Sequence, residues 1–404
     1  MKITIAVVFG GNSTEHEISV ISAVQALGRM DHSKYDIYPV YMTKDSLFYT
    51  DPSMERIESF RDIPALVASA VRVDFVKETD RTYMVGRSSG LFAKKFRVAV
   101  DLAFPIVHGT NVEDGTLQGY FRTLGLPLVG PGVLPSALGM DKAVMKSVLK
   151  DRGIPVLDCT VLRPADMDDR ESTISKLEAR PGYPMVIKPV NLGSSIGISV
   201  ARDRDSLKNS LALAFEYSDK VLAEHAIEDL KEINCSVFGG GGETMASECE
   251  EPLGGGDILS FQDKYMSGGK SGSKTAPAGA KAPGAGGSKG MASLTRRIPA
   301  DISPDMRDRI RDCAKKAFEA LEGEGIARID FMLDRETGEF YLNEINTIPG
   351  SLAFYLWEPL GVPYTELLEK LIKLALDQDR RNKRLITSFN TNILSTAQVG
   401  GVKK

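Results

Sequence analysis

Two short stretches carry residues whose types and spacing could do chemistry together. In ARIDFMLD, residues 327–334, Arg328 and Asp330 alternate on a strand-like run and face the same way, and in YLNEIN, residues 341–346, Glu344 and Asn346 do likewise. On adjacent strands they would offer two carboxylates, an amide and a guanidinium to one spot. Mg2+ takes a few hard oxygen ligands completed by water and phosphate, which the two acids and the amide suit. Arg328 could neutralise charge growing on a carbonyl or phosphoryl oxygen. Alternating polar residues are also the wet face of many antiparallel sheets, but here Ile329, Phe331, Leu342 and Ile345 are available to fill the opposite face.

A third stretch, KPVNLGSSIG at 188–197, sets Lys188 at the end of a strand-like run. In the loop beyond it, Gly193, Ser194, Ser195 and Gly197 can bring backbone N–H groups close to phosphate oxygens. Alone, it reads equally well as a tight turn with an exposed lysine. VHGTNVEDG places His108, Glu113 and Asp114 just after a strand, where α/β proteins put their sites, although a lone histidine is more often structural and Asp114 suits a helix N-cap. In GGNSTEHE, Glu15 could orient an amino group or simply favour a helix N-terminus.

The elements that must position these residues fall into three groups. ITIAVVFGG reads as a buried parallel strand entering a glycine turn, SVISAVQALGRM as a helix, and YDIYPVYMT and AVDLAFPIV as further strands, so residues 1 to about 140 predict a doubly wound α/β unit. DKAVMKSVLKDRGIP is helical, with YPMVIKPV and KVLAEHAI as strands after it. EINCSVFGG, ARIDFMLD and GEFYLNEIN are strand-like, and PDMRDRIRDCAKKAFEALEG is helical. Residues 266–297, rich in Gly, Ala, Ser and Lys, cannot build a core and read as a linker or a lid.

The chain has 404 residues, which predicts two or three domains, and 42% hydrophobic with 26% charged residues fits a globular enzyme. A net charge of −4 gives no basic field for nucleic acid or acidic membranes. Cys159, Cys235, Cys249 and Cys313 form no CxxC pair, so reduced packing cysteines are expected. The N-terminal apolar run reaches glycine too early for a secretory signal or a membrane span, so a cytoplasmic location is expected.

GGNSTEHEIS, HGTNVEDGTLQG, MDK, VIKPVNLGSSIGIS, DKY, RIDFMLD and NEINTIPG, in this order and spacing, resemble the D-alanine–D-alanine ligases of the ATP-grasp superfamily, over nearly the whole chain. The resemblance implies an α/β and α+β, three-domain ATP-grasp architecture with an N-terminal doubly wound parallel-sheet domain. The expected units are 1–141 for substrate binding, 142–222 for the central subdomain and 223–404 for the C-terminal one, with a mobile lid at about 260–297. It implies ATP as co-substrate with two Mg2+ (or Mn2+) ions, two D-alanine molecules, and a homodimer. Lys142 and Lys188 resemble the lysines on ATP phosphates, Ser195 and Lys264 further nucleotide contacts, and Glu224 and Glu232 adenine and ribose contacts. Asp330, Glu344 and Asn346 fall on the family's magnesium ligands. Glu15, Ser194 and Tyr265 match a triad that orients the first amino acid, Arg328 and the backbone at Gly350 match oxyanion stabilisers, and His108 is a substrate-binding candidate.

The implied reaction is ATP-dependent joining of two amino acids through an acyl phosphate, forming D-alanyl-D-alanine for peptidoglycan. Relatives carry a serine after NTIPG that holds the second substrate's carboxylate. Here the text is SLAFYLWEPLG, with Tyr355 at that place and expected to donate its phenol to the carboxylate. A different acceptor, D-serine or D-lactate, is therefore an alternative, and a non-catalytic nucleotide-binding regulator is a third.

Overall fold

The computed structural model describes residues 2–87, 96–193, 196–253, 296–389 and 391–392. Its strands form three sheets. The first holds β1 (Ile3–Gly10), β2 (Tyr35–Met42), β3 (Phe48–Thr50), β4 (Val71–Lys77), β5 (Thr82–Gly86), β6 (Arg97–Val100) and β7 (Leu102–Pro105) in the order β6-β5-β4-β3-β2-β1-β7. Four helices accompany it: α1 (His16–Leu27), α2 (Ile63–Ser69), α3 (Thr116–Thr123) and α4 (Val133–Met140). Ile5 to Phe9 are fully buried, as a strand covered on both faces must be. Helix α1 crosses from β1 to β2, so those strands run parallel, and β7 pairs parallel to β1 on the other side. The parallel part ends there. Beyond β2 the strands run antiparallel: residues 43–47 and 78–81 are tight links, the longer stretch 51–70 carries α2, and β3 to β6 form a meander. The N-cap of α3 is Gly115, not the expected Asp114, which sits one position earlier and accepts the Thr116 N–H at 3.0 Å.

The second sheet is antiparallel, with β8 (Cys159–Leu162), β9 (Met185–Pro189), β10 (Ser199–Ala201) and β11 (Val221–His225) in the order β10-β9-β11-β8. Helices α5 (Lys142–Asp151), α6 (Arg170–Ala179) and α7 (Arg204–Tyr217) flank it. The third, also antiparallel, runs β14-β13-β12-β15-β16 and comprises β12 (Leu230–Gly240), β13 (Glu243–Pro252), β14 (Arg296–Arg297), β15 (Gly325–Asp334) and β16 (Phe340–Asn346). Residues 254–295 lie outside the described residues. The last two positions of the expected lid, Arg296 and Arg297, are strand and pair with β13.

Helix α8 (Pro304–Ala320) covers the third sheet, where Ile329, Phe331, Leu342 and Ile345 are buried in one apolar cluster, on the face opposite the polar residues. Helix α9 (Tyr364–Asn382) goes elsewhere. Its Leu367, Leu368, Leu371 and Ile372 join the core of the first sheet, together with Leu352, Ala353 and Trp357. The C-terminal segment thus clasps the N-terminal sheet, which tethers the chain beyond β16 to α1. The four cysteines are free, and among the described residues no helix is long and apolar enough to cross a membrane.

Candidate active site

One row of polar side chains crosses four strands of the third sheet. Asn234 on β12 pairs with Glu250 on β13 and with Asp330 on β15, and Asp330 pairs with Glu344 on β16. The two carboxylates expected to meet therefore stand opposite one another. Arg328, two positions from Asp330 on the same face, grips it with Nε to Oδ1 and Nη2 to Oδ2, both at 2.7 Å. Asn346, paired with Arg328, donates its Nδ2 to Asp330 Oδ2 at 3.0 Å. Arg328 is buried; desolvation alone would lower its pKa, but the Asp330 carboxylate overrides that and holds it well above the ordinary value.

Across a cleft from this row lie β9, β10, β11 and α5. Lys142, Lys188, Glu224 and Glu232 share the cleft's lining with Asp330 and Glu344, and Val186, Val200 and Met332 supply apolar walls. Asp141 caps α5 by accepting the N–H groups of Ala143 and Val144, which sends Lys142 across the gap. Lys142 Nζ reaches Glu344 Oε2 at 2.9 Å and donates to the Leu192 carbonyl at 2.8 Å, joining the glycine-serine loop to the acidic row. A β-bulge follows Asp330: Asp330 pairs with Glu344 but Phe331 with Leu342, so Asn343 is unmatched. Its Oδ1 accepts from Lys188 Nζ at 3.0 Å.

Glu224 is buried between Lys188 and Lys146 and bonded to both. Burial alone would raise its carboxyl; the two ammonium groups overcome that and bring it down to about 2. Lys142, Lys146 and Lys188 therefore meet Glu224 and Glu344 here, so the lysines on the cleft are held in place by the protein's own carboxylates. The Glu224 carboxylate is committed to the lysines, so it supports the lysine cluster as much as any base contact. Lys146 was not singled out in the sequence; its signal is the spacing from Lys142, i to i+4 on one helix. Gly197 has φ +71°, and a Cβ there would meet Pro189 and Tyr217 at 2.9 Å, so the turn of this loop requires glycine.

The N-terminal sheet delivers its residues to the same region. Glu15 immediately precedes α1 and is buried, and a Cβ placed on Gly193 would lie 2.9 Å from its Oε2, so Gly193 packs against the start of α1. Ser194, Ser195, Lys264 and Tyr265 lie outside the described residues. His108 is buried: Nδ1 donates to the Ile348 carbonyl at 2.8 Å, and Nε2 accepts from Ser22 Oγ at 2.9 Å. Burial holds it down at about 4, so it is neutral. Glu113 accepts from Ile348 N at 2.9 Å, Thr347 Oγ1 at 3.2 Å and Gly109 N at 3.0 Å. Both residues therefore act on the backbone of the loop after β16, which ends in Gly350.

Tyr355, the residue expected at the second substrate's carboxylate, has partners within the protein. It is buried, its hydroxyl donates to Glu250 Oε1 at 3.3 Å, and the Arg296 guanidinium lies 3.8 Å above its ring. Arg296 Nη1 bonds Glu250 Oε2 at 2.7 Å, and Asn234 Nδ2 bonds Oε1 at 3.1 Å. The hydroxyl is thus engaged by a carboxylate of the protein itself. Glu250 and Arg296 carried no recognisable motif, and only the strand register brings them together.

Comparison with known proteins places the chain in a family. Residues 4–131 match the family profile described as D-ala D-ala ligase N-terminus, and residues 148–283 and 288–373 match the D-ala D-ala ligase C-terminus. The chain belongs to the D-ala D-ala ligase family. Within it, the chain is 36% identical to the D-alanine–D-alanine ligase of Acetivibrio thermocellus over 94% of this chain and 98% of that protein. It is 34% identical to that of Thermosipho melanesiensis over 97% and 98%. Among solved structures it is similar to the Coxiella burnetii D-alanine-D-alanine ligase, with TM-score 0.76, 29% identity and coverage of 95% of this chain and 96% of that one. The Enterococcus faecalis VanG D-Ala:D-Ser ligase also matches, with TM-score 0.72, 28% identity and coverage of 93% and 100%. These ligases share the ATP-grasp architecture, and the three sheets above are this chain's form of it.

Mg2+ is typical of this ATP-using family, and the donors present suit such an ion. Asp330 and Glu344 face each other, and the Asn346 amide donates through nitrogen to Asp330, leaving its oxygen as an acceptor. Among the described residues no cluster of three or more His, Cys, Asp and Glu side chains could hold a metal. An ion here would complete its shell with water and substrate phosphates, as Mg2+ at nucleotide sites does.

Proposed function

We propose that this chain is an ATP-dependent D-alanine–D-alanine ligase that forms D-alanyl-D-alanine for peptidoglycan through an acyl phosphate. The observation that carries the reading is the Arg328–Asp330–Glu344–Asn346 set facing Lys142 and Lys188 across one cleft. A carboxylate is a poor electrophile, so the first D-alanine must attack the γ-phosphate of ATP before an amine can displace phosphate from its acyl carbon. Lys142 and Lys188 hold the phosphates, and Glu15 orients the first amino acid's ammonium beside the glycine-serine loop. Mg2+ held by Asp330, Glu344 and Asn346, as two ions, would neutralise charge on the transferring group. The pair with Asp330 uses Nε and Nη2 of Arg328, so Nη1 remains to receive the oxyanion of the tetrahedral intermediate together with the Gly350 N–H.

The same reading takes 1–141, 142–222 and 223–404 as its structural units, a cytoplasmic homodimer as its working form, and Glu224 and Glu232 as the adenosine side of the cleft. Ser194, Ser195, Lys264 and Tyr265 retain their assigned roles as proposals. A second reading, with D-serine or D-lactate as acceptor, is supported by the engaged Tyr355 hydroxyl and the likeness to a D-Ala:D-Ser ligase. Phosphate release from Mg-ATP with D-alanine alone, or paired with D-serine or D-lactate, separates them, with products identified by mass. D-alanyl-D-alanine from D-alanine alone supports the first reading, and turnover only with a mixed pair supports the second. ATP binding without amino-acid-dependent phosphate release overturns both.

A further inference from the structure

Just after Gly350 the chain adopts a conformation that L-residues avoid. Ser351, Leu352 and Ala353 have φ of 53°, 51° and 49°, three left-handed residues in succession with no glycine among them. In that region Cβ crowds the following carbonyl oxygen, so such a run persists only where the surroundings over-determine it. Leu352 and Ala353 are held by burial in the core. Ser351 is held by α1. Its N–H donates to Ser22 Oγ at 3.0 Å and its hydroxyl donates to Gln25 Oε1 at 2.6 Å. Ser22 and Gln25, three positions apart, share one face of the helix.

The same contacts continue upstream. Ser22 Oγ also donates to His108 Nε2, while His108 Nδ1 binds the Ile348 carbonyl and Glu113 accepts the Ile348 N–H. The backbone is thus clamped at Ile348 and again at Ser351, with Pro349 and Gly350 suspended between. Helix α1 starts beside Glu15, so one rigid helix, rising ~15 Å from there to Gln25, connects the start of the glycine-serine loop contact to this turn.

We propose that Ser22 and Gln25 are positioning residues for the ligase reaction: they keep the Ser351–Ala353 turn left-handed and thereby fix the Gly350 N–H relative to Arg328. The inference rests on the proposed ligase function, which gives that N–H its task. Neither side chain touches substrate in this scheme. Gln25 is only half-buried, so truncating it leaves the core intact.

The test uses the full chain with Gln25→Ala and Ser22→Ala, followed by Gln25→Ala combined with Ala353→Gly. Misplacing a reacting group by about 1 Å can cost roughly a hundredfold in rate, so kcat for D-alanine-dependent phosphate release is expected to fall at least ~tenfold, with KM for ATP within about twofold. Glycine tolerates positive φ at no steric penalty, so Ala353→Gly is expected to restore most of the loss in the Gln25→Ala background. Rates within about twofold of the parent in both single variants overturn the proposal, as does a loss that follows a lowered Tm and is not rescued by glycine. If the parent chain forms no dipeptide, the ligase reading fails, and a crystal structure of the Ser22→Ala/Gln25→Ala variant decides the positioning role without turnover. A turn that leaves the left-handed region supports the role, and an unchanged turn overturns it.

Discussion

The Glu113 carboxylate accepts the backbone N–H of Ile348 at 2.9 Å, joining residues 235 positions apart in sequence. On the other side of Ile348, the carbonyl accepts from His108. The loop that leads out of β16 is therefore held by the N-terminal sheet rather than by its own.

These two holds titrate in opposite senses. Burial is the main force pushing Glu113 up, to about 7, so its native state binds a proton more tightly than the unfolded chain and its contribution to stability is lost as pH rises from about 4.5 through 7. His108 is held down at about 4, chiefly by burial, so its contribution is present above about 6.5 and lost as pH falls toward 4. Each amounts to ~3 kcal/mol, and in the parent they nearly cancel. Glu113→Gln is expected to leave a chain whose stability rises with pH across this window, and His108→Asn one whose stability falls. Urea midpoints between pH 4.5 and 7 check both, and parallel slopes in the two variants would refute the pairing.

Asp330→Asn removes one charged acceptor from the Arg328 fork. Kcat is expected to fall roughly 10²–10³-fold, the loss typical of a disabled charge-stabilising donor, with a higher Mg2+ requirement. Arg328→Lys should recover little, because an ammonium cannot reproduce a bidentate grip on a carboxylate and still offer a donor to the oxyanion. Steady-state rates over a Mg2+ titration test this.

Lys146 leads to a test of the lysine cluster. Lys146→Met leaves Glu224 with one partner in a buried site, and breaking such a pair costs about 3–5 kcal/mol. The Tm should fall markedly, and the loss should grow less severe in acid, where Glu224 becomes neutral. An unchanged Tm would show that Glu224 and Lys146 do not depend on one another.

Tyr355→Phe distinguishes two roles for one hydroxyl. Because that hydroxyl is engaged by Glu250, its removal should cost about 1 kcal/mol of stability or less and leave KM for the second amino acid within about threefold. A KM raised tenfold or more, with normal stability, would mean instead that the phenol meets the acceptor's carboxylate, as first expected.

Much of this site is legible in sequence, because local pattern dictates it. Alternation along RID and NEIN puts Arg328, Asp330, Glu344 and Asn346 on one face and Ile329, Phe331 and Ile345 on the other, whereas Leu342 joins that core only through the bulge at Asn343, which alternation does not show. Asp141 before a helical run dictates a cap, and so aims Lys142. The chain's membership of an ATP-using ligase family is likewise carried by these motifs and their order. What tertiary structure alone decided depends on register and on contacts between distant segments, which no local periodicity encodes. The antiparallel extension beyond β2 is one such case, since the helix-bearing link between β3 and β4 is long enough for a crossover and the chain nevertheless returns antiparallel. The meeting of Tyr355 with Glu250 and Arg296 follows from the pairing of β13 with β14 and the path of the chain after Gly350. The docking of α9 on the first sheet, and the left-handed turn held by Ser22 and Gln25, exist only because the C-terminal segment returns to the N-terminal core, where burial outweighs backbone preference.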